Sequence, residues 1–130
     1  MSSKHILVIS DIKDALRVIK LSLQMTVGWE VLTVDSESEG LILADVSRPD
    51  AILLDASLLE TSRLSFIQAL QANPATQHIP VIVIAESARS GVQRQFRQLG
   101  VTAVIPQLFE PVDLANHIAE ALDWPWPDQD

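Results

Sequence analysis

Four short apolar runs punctuate the chain: HILVIS at 5–10, EVLTV at 30–34, AILLD at 51–55 and VIVIA at 81–85. A weaker fifth, TAVI, follows at 102–105. The runs are rich in Val and Ile, and three of them scarcely alternate with polar residues. Strands covered on both faces read this way, because each side chain meets a packed layer whichever way it points. Between the runs the apolar positions change to helical spacing. Ile12, Ala15, Leu16, Ile19 and Leu23 form one stripe, and Leu64, Ile67 and Leu70 begin another. Val92, Phe96 and Leu99 make a third; Leu114, Ile118, Ala121 and Leu122 make a fourth. Ser36 and Glu39 stand at capping-box spacing, which predicts a helix start there despite Gly40. Gly28 and Gly100 suit helix ends, and Pro111 suits the first turn of the last helix.

The order is therefore strand then helix, five times over. That alternation predicts an α/β fold: a five-stranded parallel, doubly wound sheet with right-handed crossovers and five helices on its two faces. Short connections leave no room for a second domain. Residues 1–123 read as the domain and 124–130 as a C-terminal tail, within the Pro- and acid-rich DWPWPDQD that ends the chain.

Composition narrows the function. A chain of 130 residues can bury one core, and 48% hydrophobic with 20% charged residues is ordinary for a globular protein. A net charge of -8 argues against nucleic acid as a partner, since phosphate binding needs a basic patch. Without cysteine there are no disulfides or thiolate metal sites. No apolar run nears membrane-spanning length and the N-terminus lacks a signal-peptide pattern, so a cytoplasmic location is expected.

In open parallel sheets, ligands bind beyond the carboxyl ends of the strands, where strand order reverses. For the common order 2-1-3-4-5 that point lies between strands 1 and 3. Asp11 follows the first strand and Asp55 ends the third, so two carboxylates are expected to share one crevice. At about 5 Å and an effective dielectric near 20, their repulsion is roughly 3 kcal/mol. A hard cation such as Mg²⁺ would offset it.

From Lys4 to about Leu122 the chain resembles the receiver domains of two-component response regulators. The blocks HILVISD, RPDAILLDASL, NPATQHIPVIVIA and LGVTAVIPQLFEPVDLANHI carry the likeness. It implies a flavodoxin-like fold that accepts a phosphoryl group from a histidine kinase onto an aspartate, with Mg²⁺ as cofactor. By that resemblance Asp55 is the phosphoacceptor, and Asp11, Asp55 and the Ser57 carbonyl are the metal ligands. Several positions depart from the pattern. Ser10 replaces the first acid of the pair, Ala85 a hydroxyl residue, Gln107 a lysine and Val104 an aromatic residue. Leu108 replaces the proline after that lysine, so a trans Gln107–Leu108 bond is expected. Leu59, Glu60 and Arg63 replace the proline and glycines of the loop after Asp55.

Losing one preorganised stabiliser commonly costs on the order of 10²–10³ in rate, so weak or no phosphorylation of Asp55 and weak Mg²⁺ binding are expected. The reading is an atypical receiver working mainly through protein contacts, with a kinase, phosphotransfer or output protein as partner. Two alternatives stay open: a functional phosphorelay intermediate or sink, and a flavodoxin-like small-molecule binder or enzyme. The latter lacks a Gly-rich phosphate loop.

Arg89, Arg94 and Arg97 make the fourth helix basic, while Asp113, Glu120 and Asp123 lie on or near the last. In receivers the face of the fourth helix, fifth strand and fifth helix mediates dimers or output. Arg94, Arg97, Asp113 and Glu120 are therefore the candidate interaction residues, in a homodimer or with another protein. His5, His78 and His117 show no metal spacing, and Ser10 and Ser57 have no triad partner, so no catalytic residue is assigned. Trp124 and Trp126 are expected to cover the end of the last helix.

Overall fold

The computed structural model describes residues 4–10, 12–56, 61–85, 90–106 and 113–124. The alternating pattern becomes β1 (His5–Ile9), α1 (Lys13–Val27), β2 (Glu30–Val34), α2 (Glu37–Ser47) and β3 (Ala51–Ala56). It continues with α3 (Thr61–Ala72), β4 (Val81–Ala85), α4 (Ser90–Gln98), β5 (Ala103–Pro106) and α5 (Leu114–Leu122). All strand pairs are parallel, in the order β2-β1-β3-β4-β5, as the sequence predicts.

The unbroken apolar runs feed two cores, because alternate residues of each strand point to opposite faces. Ile6, Val8, Leu53, Ile82 and Ile84 meet α1 (Leu16, Ile19, Leu23) and α5 (Leu114, Ala115, Ile118). Leu7, Ile9, Ile52, Leu54 and Val83 meet α2 (Ala44), α3 (Phe66, Ile67, Leu70) and α4 (Phe96). Each fully buried Leu, Ile or Phe contributes about 1.5–3 kcal/mol, so the doubly covered sheet is the main source of stability.

Local chemistry sets the helix ends. Gly28 ends α1 in the left-handed region, at φ 70°. The Glu39 N–H donates to the Ser36 hydroxyl at 3.3 Å and starts α2. One reading needs correcting: Ile12 does not join the buried stripe of the first helix. It is the N-cap of α1 and 43% exposed, because the helix begins at Lys13. The fifth strand also starts a residue later than TAVI. Pro111, the side chains of Leu64 and Val92, and Trp126 lie outside the description.

Trp124, just past α5, meets the buried Trp29 edge-on, with ring centroids 5.4 Å apart. The Lys4 ammonium lies 4.7 Å over the Trp124 ring. The segment after α5 is thus pinned to the start of the chain, at the end of the sheet away from Asp55. Among the described residues no helix is long and apolar enough to cross a membrane.

Candidate functional site: a buried hydroxyl and carboxylate at the switch point

The chain leaves β1 for β2 on one side and returns to β3 on the other, so strand order reverses between β1 and β3. Ile9 pairs with Leu54 in the parallel register, which brings the next residues, Ser10 and Asp55, side by side. Their side chains meet: the Ser10 hydroxyl donates to Asp55 Oδ2 at 2.7 Å. Ser10 is 0% exposed and Asp55 only 4%. Burying a carboxylate is costly unless donors compensate it, and a hydroxyl held against a charged oxygen makes one of the stronger hydrogen bonds. Ser10 is not the sole partner of Asp55.

Ser10 is itself held from two directions. Its backbone N–H donates to the Val34 carbonyl at 3.2 Å, and its Oγ accepts the Ile12 N–H at 3.1 Å. A hydroxyl has one proton and two lone pairs. The proton goes to Asp55 and a lone pair takes the amide, so the rotor is fixed.

Among the described residues, the ends of β4 and β5 next to this pair are aliphatic. Ala85 ends β4, lies opposite Ala56 in register and is 3% exposed among the core residues of the α2–α4 side. Its methyl offers no hydrogen bond. Val104 in β5 pairs with Val83 and packs against the same core. Of the residues singled out in the sequence, the fold thus brings Ser10 and Asp55 into contact and places Ala85 on the strand next to Asp55. Asp11, Ser57, Gln107, Leu59, Glu60, the Gln107–Leu108 bond and the Arg63 side chain lie outside the description.

Receiver-type chemistry calls for Mg²⁺, which prefers several oxygen ligands, anionic ones above all. Among the described residues no group of three or more His, Cys, Asp or Glu side chains is placed to hold a metal ion. Ser10 supplies a neutral hydroxyl whose proton is turned toward Asp55. This donor set fits a divalent cation less well than a pair of acids would.

Arg94, Arg97, Asp113 and Glu120 are all exposed, and among the described residues no ion pair joins the basic set to the acidic one. Arg89 lies outside the description. His5 Nε2 sits 3.1 Å from the Glu30 carboxylate, at the other end of the sheet from Asp55. His78 and His117 are exposed.

Sequence reasoning missed two features. It read Ser10 as a lost acid and overlooked that a hydroxyl there can serve Asp55; a strand-end serine beside a strand-end aspartate was the available signal. It also overlooked Val18, Leu21 and Met25, which are 46%, 49% and 82% exposed. Their spacing puts them on the side of α1 opposite Leu16, Ile19 and Leu23.

Comparison with known proteins agrees with the geometry. The family model described as the response regulator receiver domain matches residues 6–119. The chain is 37% identical over 78 residues to the polar-differentiation response regulator DivK of Brucella anthropi, covering 60% of this chain and 63% of that protein. It is 30% identical over 103 residues to DivK of Brucella ovis, covering 79% and 83%. Among solved structures, chemotaxis response regulator CheY4 of Vibrio cholerae superposes with a TM-score of 0.83 at 19% identity, covering 92% and 99% of the two chains. The receiver domain of a sensor histidine kinase from Pseudomonas aeruginosa gives 0.79 at 22% identity, covering 94% and 99%, and has a magnesium ion coordinated in its active-site cleft. The two structures speak for the fold; the family model speaks for the class, and against a small-molecule enzyme. This chain, with its sheet order and its strand-end aspartate, belongs to the response regulator receiver domains, signalling modules of two-component systems rather than enzymes.

Proposed function

We propose that the chain is an atypical receiver that acts mainly through protein–protein contacts, with Asp55 phosphorylated weakly or not at all. One observation carries this reading: a neutral hydroxyl, Ser10, sits against Asp55 where the resemblance calls for an acid. It supports weaker cation binding, because the cleft loses one negative charge. Ala85 supports it too, since a methyl cannot hold a phosphoryl oxygen. Mg²⁺, held weakly by Asp11, Asp55 and the Ser57 carbonyl, would supply charge neutralisation at the carboxylate. Asp55, from β3, would present its oxygen to a donor, and Ser10 would fix the direction of the carboxylate.

Two surfaces support contact as the working mode. The outward stripe Val18, Leu21 and Met25 on α1 is apolar where a helix on a monomer is normally polar. The exposed charges Arg94, Arg97, Asp113 and Glu120 suit a homodimer across α4, β5 and α5, or a kinase, phosphotransfer or output protein.

Intact-mass measurement after incubation with acetyl phosphate and Mg²⁺ tests the reading. At most a small fraction of the chain is expected to gain a phosphoryl group. A stoichiometric adduct that disappears in Asp55→Asn would establish the rival, a working phosphoacceptor serving as relay or sink.

A further inference from the structure

Asp55, Ser10 and Ile12 form a polar chain out of the switch point. The Ile12 N–H donates to Ser10 Oγ at 3.1 Å, and the Ser10 hydroxyl donates to Asp55 Oδ2 at 2.7 Å. Ile12 then hands the connection to a helix, because its carbonyl accepts the Leu16 N–H at 3.1 Å. Leu16 anchors α1 in the core shared with α5. Ser10 and Asp55 are both buried, so water does not compete for the bond between them.

We infer that Ser10 is a positioning residue through which the charge of the Asp55 carboxylate is read at the start of α1. The inference deepens the reading of Asp55 as the functional carboxylate of this site. A hydroxyl that donates to a carboxylate is polarised and becomes a better acceptor, since neighbouring hydrogen bonds strengthen one another in a low dielectric. With Asp55 charged, Ser10 Oγ grips the Ile12 amide. With a neutral asparagine amide in its place, the hydroxyl is less polarised and the grip loosens. The effect falls on the N-cap of α1, which has no side-chain cap of its own. The face that responds is α1, whose outer side carries Val18, Leu21 and Met25.

The test is a double-mutant cycle on the full chain, read at the Ile12 amide by proton–nitrogen spectra and hydrogen exchange. In the native background, Asp55→Asn is expected to move the Ile12 proton upfield and to speed its exchange roughly three- to tenfold, the loss of part of one hydrogen bond. S10A is expected to do the same, and S10T to retain the native position. In the S10A background, D55N is expected to add nothing further, because the connection is already cut. If D55N leaves Ile12 unmoved, or moves it equally with and without the serine hydroxyl, the inference is overturned. Should S10A fail to fold, the comparison of S10T with S10T/D55N carries the test: an upfield shift supports the relay and none refutes it. The cycle needs no phosphorylation. A stoichiometric acetyl phosphate adduct therefore overturns the weak-phosphorylation reading alone, and an unresponsive Ile12 overturns the relay alone.

Discussion

Gly40 of α2 rests directly on Ile9 of β1: a β-carbon built on Gly40 would stand 2.7 Å from Ile9 Cδ1 and 3.4 Å from Phe66 Cε1. The glycine is there for close approach. Ile9 is 0% exposed and immediately precedes Ser10, so the packing of α2 bears on the functional pair. Gly40→Ala gains up to about 1 kcal/mol of helix propensity but must displace a core side chain, which typically costs about 1–3 kcal/mol. Net destabilisation is expected, read as a lower denaturation midpoint. A midpoint equal to or above that of the native chain would show that α2 has slack over β1.

That glycine marks a limit of what the sequence made legible. Apolar runs gave the strands, helical stripes gave the faces, and Gly28 and Gly100 marked turns through their left-handed backbone. The strand-end position of Asp55 followed from the same pattern. Less was written in the residue types elsewhere. Gly40 sat inside a helix pattern, where spacing does not reveal the atom above it. Arg48 and Asp123 take positive φ at the ends of α2 and α5, although neither residue type announces it. The Ser10–Asp55 bond depends on the register of two strands 45 residues apart, which no local window contains. Nor does its residue type reveal that Thr76 is buried and closes the end of α3 by donating to the Leu70 carbonyl at 2.7 Å.

Arg48 offers a stability test of that backbone reading. It caps α2 at φ 47°, ψ 66°, a conformation that glycine adopts without steric cost and other residues do not. Arg48→Gly is expected to stabilise the chain by up to about 1 kcal/mol, partly offset by the greater freedom of glycine when unfolded. Urea titration checks it. A clear loss of stability would mean that the arginine side chain contributes more than its backbone costs.

At the far end of the sheet, Trp124→Ala removes both the edge-on contact with Trp29 and the ring beneath the Lys4 ammonium. Aromatic pairs give about 0.5–1.5 kcal/mol beyond area burial, and exposed cation–π contacts about 0.5–1 kcal/mol. The expected loss is about 2 kcal/mol, with a red shift in Trp29 emission as its cover is removed. Phenylalanine at 124 should recover about half. Because the pair lies away from Asp55, none of these changes should alter the Ile12 amide.

Restoring the missing acid should restore metal dependence. Ser10→Asp replaces the donor on Asp55 with a second carboxylate, at a repulsive cost of roughly 3 kcal/mol at a separation near 5 Å. In EDTA the variant is expected to melt well below the native chain. Millimolar Mg²⁺ should recover much of the difference, because a ligand at about ten times its Kd adds about 1.4 kcal/mol. The native chain, with its hydroxyl in place, should respond far less over the same titration. Equal Mg²⁺ responses in the two proteins would remove the argument that Ser10 weakens the cation site.

The last prediction concerns the charged face, where four side chains stand exposed without pairing to each other among the described residues. Arg94 and Arg97 project from α4, while Asp113 stands at the N-cap position of α5 without a side-chain cap bond and Glu120 lies in its last turn. In a two-fold dimer each basic set would face the partner's acidic set, so every pair would count twice. Exposed ion pairs contribute only about 0.2–1 kcal/mol each, which predicts weak association that falls with added salt. Sedimentation at rising concentration should show that association in the native chain. Reversing Arg94 and Arg97 to glutamate should abolish it, and so should reversing Asp113 and Glu120 to lysine. Mixing the two reversed proteins separates a real interface from a general charge effect. The first then carries two acidic sets and the second two basic sets, so a two-fold contact between them meets opposite charges at both sites, and the mixture should associate although neither protein does alone. Combining all four reversals in a single chain restores complementarity with every charge inverted, and association should return. If the native chain and the fourfold variant both stay monomeric while folded, the face does not pair copies of this chain.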